Sequence, residues 1–475
     1  MIKRYKPTKD NTISNAFDSS LVTRAVSASM GQADILENFA IYGQVSASTG
    51  FSTEEARILI EFDLSEIQSD ISGNVVPASS SYFLRLYNAE HGETNPVEFN
   101  LEAHSVSGSW QEGYGLDMDD YKDLSYGVGS NWTVRSGSTA WSTAGGDIYA
   151  NTSSVQTFNT GLEDMDLDVT TQVQAWLDGV RPNDGFMIKL PTALTDGSEQ
   201  RSYYTKKFFA RGSEFFYKRP VLEVRWNSAT QDDRINFYTS SSLAPAADNL
   251  NTLYLYNYHR GALTNIPAIG TGSIYVDLYT ESGGTKLNQC INTPATGGYV
   301  ETGVYTASVC LETTASTIAD VWFSGSVEFH TGSITTKTPS ALSFPPENNL
   351  VVSCVGSQEN YYNKSTNRFY FYIRQKKWSP NIFTTATSAP TTEVYENLHY
   401  KITRLVGDET VFDYDTTTNS TLLSYDSKGN FFDLDLNMLE PNYTYLIELA
   451  LYDVATKTFE QLSFKHKFRV VNNEY

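Results

Sequence analysis

Apolar and polar residues alternate along much of this chain. In RILIEFDL, Arg57 to Leu64, the residues Ile58, Ile60, Phe62 and Leu64 share one face. Arg57, Glu61 and Asp63 take the other, with Leu59 as the exception. Alternation with period two predicts a half-buried strand. The same pattern places Tyr82, Leu84 and Leu86 on one side of YFLRLY, and Leu222, Val224 and Trp226 on one side of VLEVRW. One stretch departs from it. Val169, Val173, Trp176 and Leu177 follow helical spacing and form a single stripe. Asp168 or Thr170 can cap its start, and Gly179 stands where a left-handed C-terminal residue is wanted. Pro182-Asn183-Asp184-Gly185 then turns the chain, and Phe186, Ile188 and Leu190 resume period two. The pattern predicts a short helix crossing the end of a β-sandwich, with Trp176 as its plug.

Further along, strands separated by turn-rich segments take over. GGYVETGVYTASVCL sets Tyr305 just ahead of an alternating strand with Ala307, Val309 and Leu311. LEPNYTYLIELAL sets Tyr443 just ahead of Tyr445, Ile447, Leu449 and Leu451. A turn, a tyrosine and then a strand is the order of the tyrosine corner in immunoglobulin-like sandwiches. The expected fold class is therefore all-β: an N-terminal β-sandwich with one short helix, followed by two immunoglobulin-like β-sandwich domains.

Composition places the boundaries. Five of the seven tryptophans lie at or before Trp226, and all three cysteines lie after it. The polar stretch WNSATQDD marks that change, and the prolines of TTKTPSALSFPPENN mark a second. The expected domains are 1–227, 234–336 and 340–475; a single larger β-domain after 234 is the alternative. With 31 Tyr, 25 Phe and 40% hydrophobic residues in 475, the chain can bury several cores.

The formal net charge of −21 repels phosphate, which argues against a nucleic-acid partner. No apolar run approaches the roughly 20 residues that a bilayer span requires, so no membrane partner is expected. MIKRYKPTKDNTISNAF has basic residues but no following apolar run, unlike a secretory leader. Cys290, Cys310 and Cys354 form neither a disulfide framework nor a zinc pattern; they read as buried or free thiols in a chain made in a reducing cytoplasm.

Catalytic motifs do not stand out. There is no nucleophile elbow, zinc-protease helix or phosphate-binding loop, and the six histidines lack metal spacing. Carboxylates abound, but the sequence singles out no pair of the kind glycosidases use. No enzyme activity and no cofactor are expected. The best metal candidate is the acidic loop GYGLDMDDYKD, whose Asp117, Asp119, Asp120 and Asp123 would suit Ca²⁺; a solvated acidic loop is the plainer reading. A second acid cluster, LEDMDLDVTT, is explained by the start of the helix it precedes. Trp110, Trp132 and Trp141 are the candidates for a sugar-stacking platform, with core packing as the alternative. YYNKSTNRFYFYIRQKKW, the one basic-aromatic stretch, reads as an exposed strand protected against edge pairing or as a docking surface for an acidic neighbour.

A longer string of residues carries a resemblance. KDNTI, MGQADIL, RILIEFDLS, YFLRLYN, WQEG, TAW, LDVTTQVQAWLDG, NDGFMIKL and RPVLEVRW follow one another through about 225 positions. Together they resemble the disaggregatase-related, or DNRLRE, β-domain, a jelly-roll relative of carbohydrate-binding modules. The acidic loop departs from that family's pattern. The opening residues, with MGQADILENF and IYGQ, are similar to structural proteins of tailed marine phages of the T4-like cyanophage type. These resemblances imply a non-catalytic virion component assembled in the host cytoplasm: a decoration, fibre or tail, neck or baseplate protein. Its partners would be other virion structural proteins, in a homo-oligomer or many symmetric copies, with a surface glycan as a further contact. A cell-surface or secreted carbohydrate-binding protein and a polysaccharide-degrading enzyme are the alternatives.

Overall fold

The structure, a computed structural model, describes residues 1–47, 50–116, 129–241, 243–338, 350–376 and 392–472. Nearly all of its regular structure is β. Contacts gather the chain into two compact units, Ile2–Trp226 and Asn227–Tyr475, with Met1 grouped with the latter.

The first unit holds two antiparallel sheets. One orders Ile2–Tyr5, Val221–Arg225, Ser81–Leu86 and Met165–Asp168. The other orders Tyr203–Phe209, Ile35–Ala47, Gly50–Phe62, Phe186–Lys189, Phe99–Ser105 and Ser154–Phe158, with Pro7–Ser14 also paired to Gly50–Phe62. Apart from the hairpin of Ile35–Ala47 and Gly50–Phe62, neighbours in both sheets are distant in sequence, as in a jelly roll. Ile58, Ile60 and Phe62 are fully buried, as their alternation predicts. Leu59 is equally buried, so this strand is covered on both faces. Phe186–Lys189 lies between two strands, and all four of its residues are buried rather than alternate ones. Inner strands with two covered faces lose the period-two signature.

The helix runs over Thr170–Leu177. The Asp168 carboxylate accepts the Thr170 N–H at 2.9 Å, occupying one of the free donors of the first turn. At the other end the Gly179 N–H donates to Trp176 O and the Val180 N–H to Ala175 O, a Schellman closure. Gly179 has φ +68°, which that closure requires. Trp176 is buried with its ring 4.6 Å from that of Phe186. A second helix, Ser65–Ser72, was not expected from its mostly polar sequence; it is anchored by buried Ile67 and by Asp63, which accepts from the Ser65 N–H and hydroxyl.

The second unit contains one long curled sheet ordered Asn251–Tyr256, Val304–Val309, Ala295–Glu301, Ile274–Tyr279, Thr317–Ser324 and Val327–Thr335. It wraps a core of Phe237, Leu253, Ile274, Val276, Leu278 and Trp322, among others. A sandwich follows. One sheet orders Leu350–Val355, Thr366–Gln375, Gly429–Asp435 and Ser424–Asp426, and the other Asn360–Tyr362, Thr458–Val471, Thr444–Asp453, Leu398–Arg404 and Glu409–Phe412. Aromatic rings join the two sheets: Tyr400 stacks on Phe432 at 4.0 Å, and Phe464 meets Phe371 edge-on.

Two expectations need correction here. Thr366–Gln375, read as an edge strand, is paired on both sides, and its alternate residues Phe369, Phe371 and Ile373 are buried. The corner tyrosine of the last domain is Tyr445 rather than Tyr443: the Tyr445 hydroxyl donates to Glu440 O at 2.7 Å, while Arg404 lies over the Tyr443 ring. The polar stretch that marks the first boundary is itself hydrogen-bonded within the second unit: Tyr425 exchanges backbone bonds with Thr230 and Asp232, and its hydroxyl donates to Asp233.

Candidate functional site

The candidate contact residues of the first unit are gathered in one place. Trp110, Trp132 and Trp141 form a cluster with Ile13, Leu59, Val106 and Met187. Leu59 and Met187 are directly opposed in neighbouring strands, and Asn11 of Pro7–Ser14 is opposed to Leu59. The three tryptophans therefore cover the second face of this sheet, which is why Leu59 breaks the alternation of its strand.

Each ring is held by specific contacts. The Trp110 Nε1–H donates to Asp184 O at 2.9 Å, and Asp184 itself accepts the Gly108 N–H. Trp141 Nε1–H donates to Asn131 O at 2.9 Å, while the Asn131 side chain accepts from the Thr133 and Val134 N–H groups. Lys9 lies 4.6 Å from the centre of the Trp110 ring and Arg57 lies 4.9 Å from that of Trp132. Arg57 also donates to Gly145 O, and a side chain at Gly145 would meet the Trp132 ring at 2.8 Å. The rings are left 3%, 7% and 5% exposed in sequence order. Their stacking faces are taken by protein, so in this arrangement they form no open platform for a sugar.

Beside them lies a polar group that the sequence reading did not find. Arg211 donates through Nε and Nη2 to both oxygens of Glu112, at 2.7 and 2.6 Å. Glu112 also accepts the Asp10 N–H, and Asp10 accepts the Arg211 N–H at 2.7 Å. Burial pushes the Asp10 carboxyl up to about 7; Glu112 adds to the rise and Arg211 opposes it. These bonds join residues about 100 and 200 positions apart, a relation no local pattern reports.

The Ca²⁺ candidates Asp117, Asp119, Asp120 and Asp123 lie outside the described residues. Among the described residues no group of three or more His, Cys, Asp or Glu side chains is placed to hold a metal ion. No described helix is long and apolar enough to cross a membrane. In LEDMDLDVTT the helix explains only Asp168: Asp166 pairs with Arg225, Asp164 accepts the Asn88 N–H, and Glu163 accepts the Asn159 and Thr160 N–H groups.

Fold and site together define an all-β protein of sandwich domains in which the prominent aromatic cluster is interior. No family model and no curated protein matches the sequence. Among solved structures the chain is similar to an Escherichia coli alpha-2-macroglobulin activated by porcine elastase, at 12% identity and TM-score 0.17, over 51% of this chain and 20% of that one. It is similar to the Yersinia pseudotuberculosis adhesin InvE at 11% identity and TM-score 0.16, over 49% of this chain and 56% of that one. A third similarity is to the Ig1-2 module of the Drosophila receptor tyrosine phosphatase DLAR, at 8% identity and TM-score 0.15, over 47% and 91%. The chain thus spans 20% of the macroglobulin's length and 56% of the adhesin's.

Proposed function

We propose that the chain is a non-catalytic structural protein of a phage particle, present in many copies and docked on neighbouring capsid or tail proteins. The resemblance of its opening residues and of its first 225 or so positions supplies the class. The observation that best supports a structural role is the inward placement of Trp110, Trp132 and Trp141. These three tryptophans hold a sheet covered, so contact with partners falls to other parts of the surface. With a net charge of −21, that surface favours partners bearing basic patches. Repetition on a symmetric particle multiplies contacts that are individually weak.

Mass spectrometry of purified particles, from cells infected with a phage encoding this sequence, tests the reading. Peptides of this chain are expected at copy numbers comparable to those of known structural proteins, and their absence from the particles would overturn it. A glycan array and a reducing-end assay on host polysaccharide are expected to be negative. Specific binding would favour the carbohydrate-binding reading, and released ends the enzymatic one.

A further inference from the structure

The sequence leaves the three cysteines unrelated, but the fold brings two of them together. Cys290 lies between Lys286–Leu287 and Ala295–Glu301, and Cys310 directly follows Val304–Val309. The Cys290 N–H donates to Cys310 O at 3.1 Å, outside the strand ladders. In a ladder, residues that exchange two such bonds have Cα atoms about 5.5 Å apart, within the span a disulfide bridges, and here one such bond draws Cys290 and Cys310 together. The side chains converge as well. Burial pushes the Cys310 thiol up to about 11, and a hydrogen bond to the Cys290 thiol adds to the rise. Cys290 is exposed, Cys310 is buried, and both are free thiols. The Ser240 hydroxyl lies 3.1 Å from Cys290 Sγ.

We propose that Cys290 and Cys310 are a reactive dithiol, which a low-molecular-weight disulfide such as oxidised glutathione converts to an internal disulfide. Cys290 is the entry point because it alone of the pair faces solvent. Its thiolate attacks one sulfur of the small disulfide; that S–S bond breaks, one small thiolate leaves, and Cys290 carries a mixed disulfide. Cys310 gives its proton to solvent base and attacks Cys290 Sγ. The mixed disulfide breaks and the second small thiolate leaves. Two protein thiols are oxidised, and one small disulfide is reduced to two thiols. The new bond ties the loop before Ala295–Glu301 to the end of Val304–Val309, shortening the free chain available on unfolding. The second step is the slow one, because Cys310 gives up its proton reluctantly.

The test uses the intact reduced chain with excess oxidised glutathione, followed by denaturing thiol titration and peptide mapping without reductant. The thiol count is expected to fall from three to one, with a Cys290–Cys310 linked peptide and Cys354 unmodified. Formation of the link should accelerate with rising pH. Cys310→Ser should stop at a stable glutathione adduct on Cys290, and Cys290→Ser should form no link. Wild-type protein that keeps all three thiols, or that accumulates the Cys290 adduct without resolving it, would overturn the proposal.

Discussion

Each unit buries a small cluster of charges, and the two clusters are built with opposite surpluses. In the first unit one buried carboxylate, Glu223, faces three guanidiniums: Arg4 Nε at 2.7 Å, Arg225 Nε at 2.6 Å and Arg85 Nη1 at 3.4 Å, with the more exposed Asp166 also on Arg225. Burial alone would raise the Glu223 carboxyl, but the three arginines outweigh it and hold the group far below the usual carboxylate range. In the second unit a single guanidinium, Arg234, faces two carboxylates, Asp232 at 2.7 Å and Asp320 at 2.6 Å. Asp320 also accepts the Trp322 Nε1–H. Here burial wins at Asp232 and pushes it up to about 6, against the pull of Arg234. A carboxylate can take a proton when its partner is lost, whereas an arginine cannot shed one. The first cluster is therefore brittle and the second can relax.

Glu223→Ala should have the largest effect. It removes the buried carboxylate that Arg4, Arg85 and Arg225 share, leaving Asp166 on Arg225, and a loss of about 3–5 kcal/mol is expected for a broken buried pair. The cost should stay flat across neutral and mildly acidic pH, because none of the three can be neutralised. Hydrogen exchange of Val221–Arg225 with increasing urea reads it locally. A cost under about 1 kcal/mol would mean that water or side-chain movement already separates these charges.

Arg234→Met should cost a similar amount near pH 8, about 3–5 kcal/mol, but with a different pH profile. Without the cation, the folded-state pKa of Asp232, already raised by burial, rises further above the unfolded value. A raised acid stabilises the fold below its unfolded pKa, and that contribution is lost as pH climbs through the folded pKa. The deficit of the variant should therefore shrink on going from about pH 8 to about pH 5, read by exchange of Thr317–Ser324. A deficit that grows on acidification would sink the contrast between the clusters.

Two buried tyrosine hydroxyls, of Tyr305 and of the corner Tyr445, offer a smaller comparison within the second unit. The Tyr305 hydroxyl accepts the Ile266 N–H at 3.0 Å and donates to Gly270 O at 2.8 Å. Tyr305→Phe leaves the N–H of buried Ile266 without that acceptor, a cost of about 1–3 kcal/mol. Tyr445→Phe removes the bond to the carbonyl of half-buried Glu440, which water can reach, so about 0.5–1.5 kcal/mol is expected. Urea midpoints of the two variants give the order, and equal costs would show that the second bond at Tyr305 contributes nothing.

How much of this was legible follows from the range of each signal. The helix stop at Gly179, the Trp176 stripe and the strand of Ile58, Ile60 and Phe62 are local patterns, and all were visible. Leu59 was visible only as an exception, because its explanation lies in Trp110, Trp132 and Trp141, which fold over it from distant loops. Tyr443 and Tyr445 present the same residue type two positions apart, and only the hydroxyl bond to Glu440 distinguishes them. Glu223 alternates as an outward residue in VLEVRW and is buried because Arg4 and Arg85 come from neighbouring strands. Cys290 and Cys310 are related only through the pairing of Ala295–Glu301 with Val304–Val309. Of the candidate site, the tryptophans were named together as glycan contacts or core, and their inward facing was not determined, since packing and ligand contact require the same residue type.

The smallest expected effect isolates exposure from chemistry. Arg368 and Asp433 form a two-pronged pair, Nε to Oδ1 at 2.9 Å and Nη2 to Oδ2 at 2.8 Å, with the guanidinium 4.2 Å from the centre of the Phe431 ring. This is the charge chemistry of Glu223 and Arg225, but the side chains are 36% and 29% exposed. Water solvates both partners when they are separated, so a double-mutant cycle of Arg368→Ala and Asp433→Ala should give a coupling of about 0.2–1 kcal/mol. Added salt should reduce it, because mobile ions reach exposed charges. A coupling as large as the cost of Glu223→Ala would mean that pair geometry, rather than removal from water, makes the buried cluster of the first unit strong.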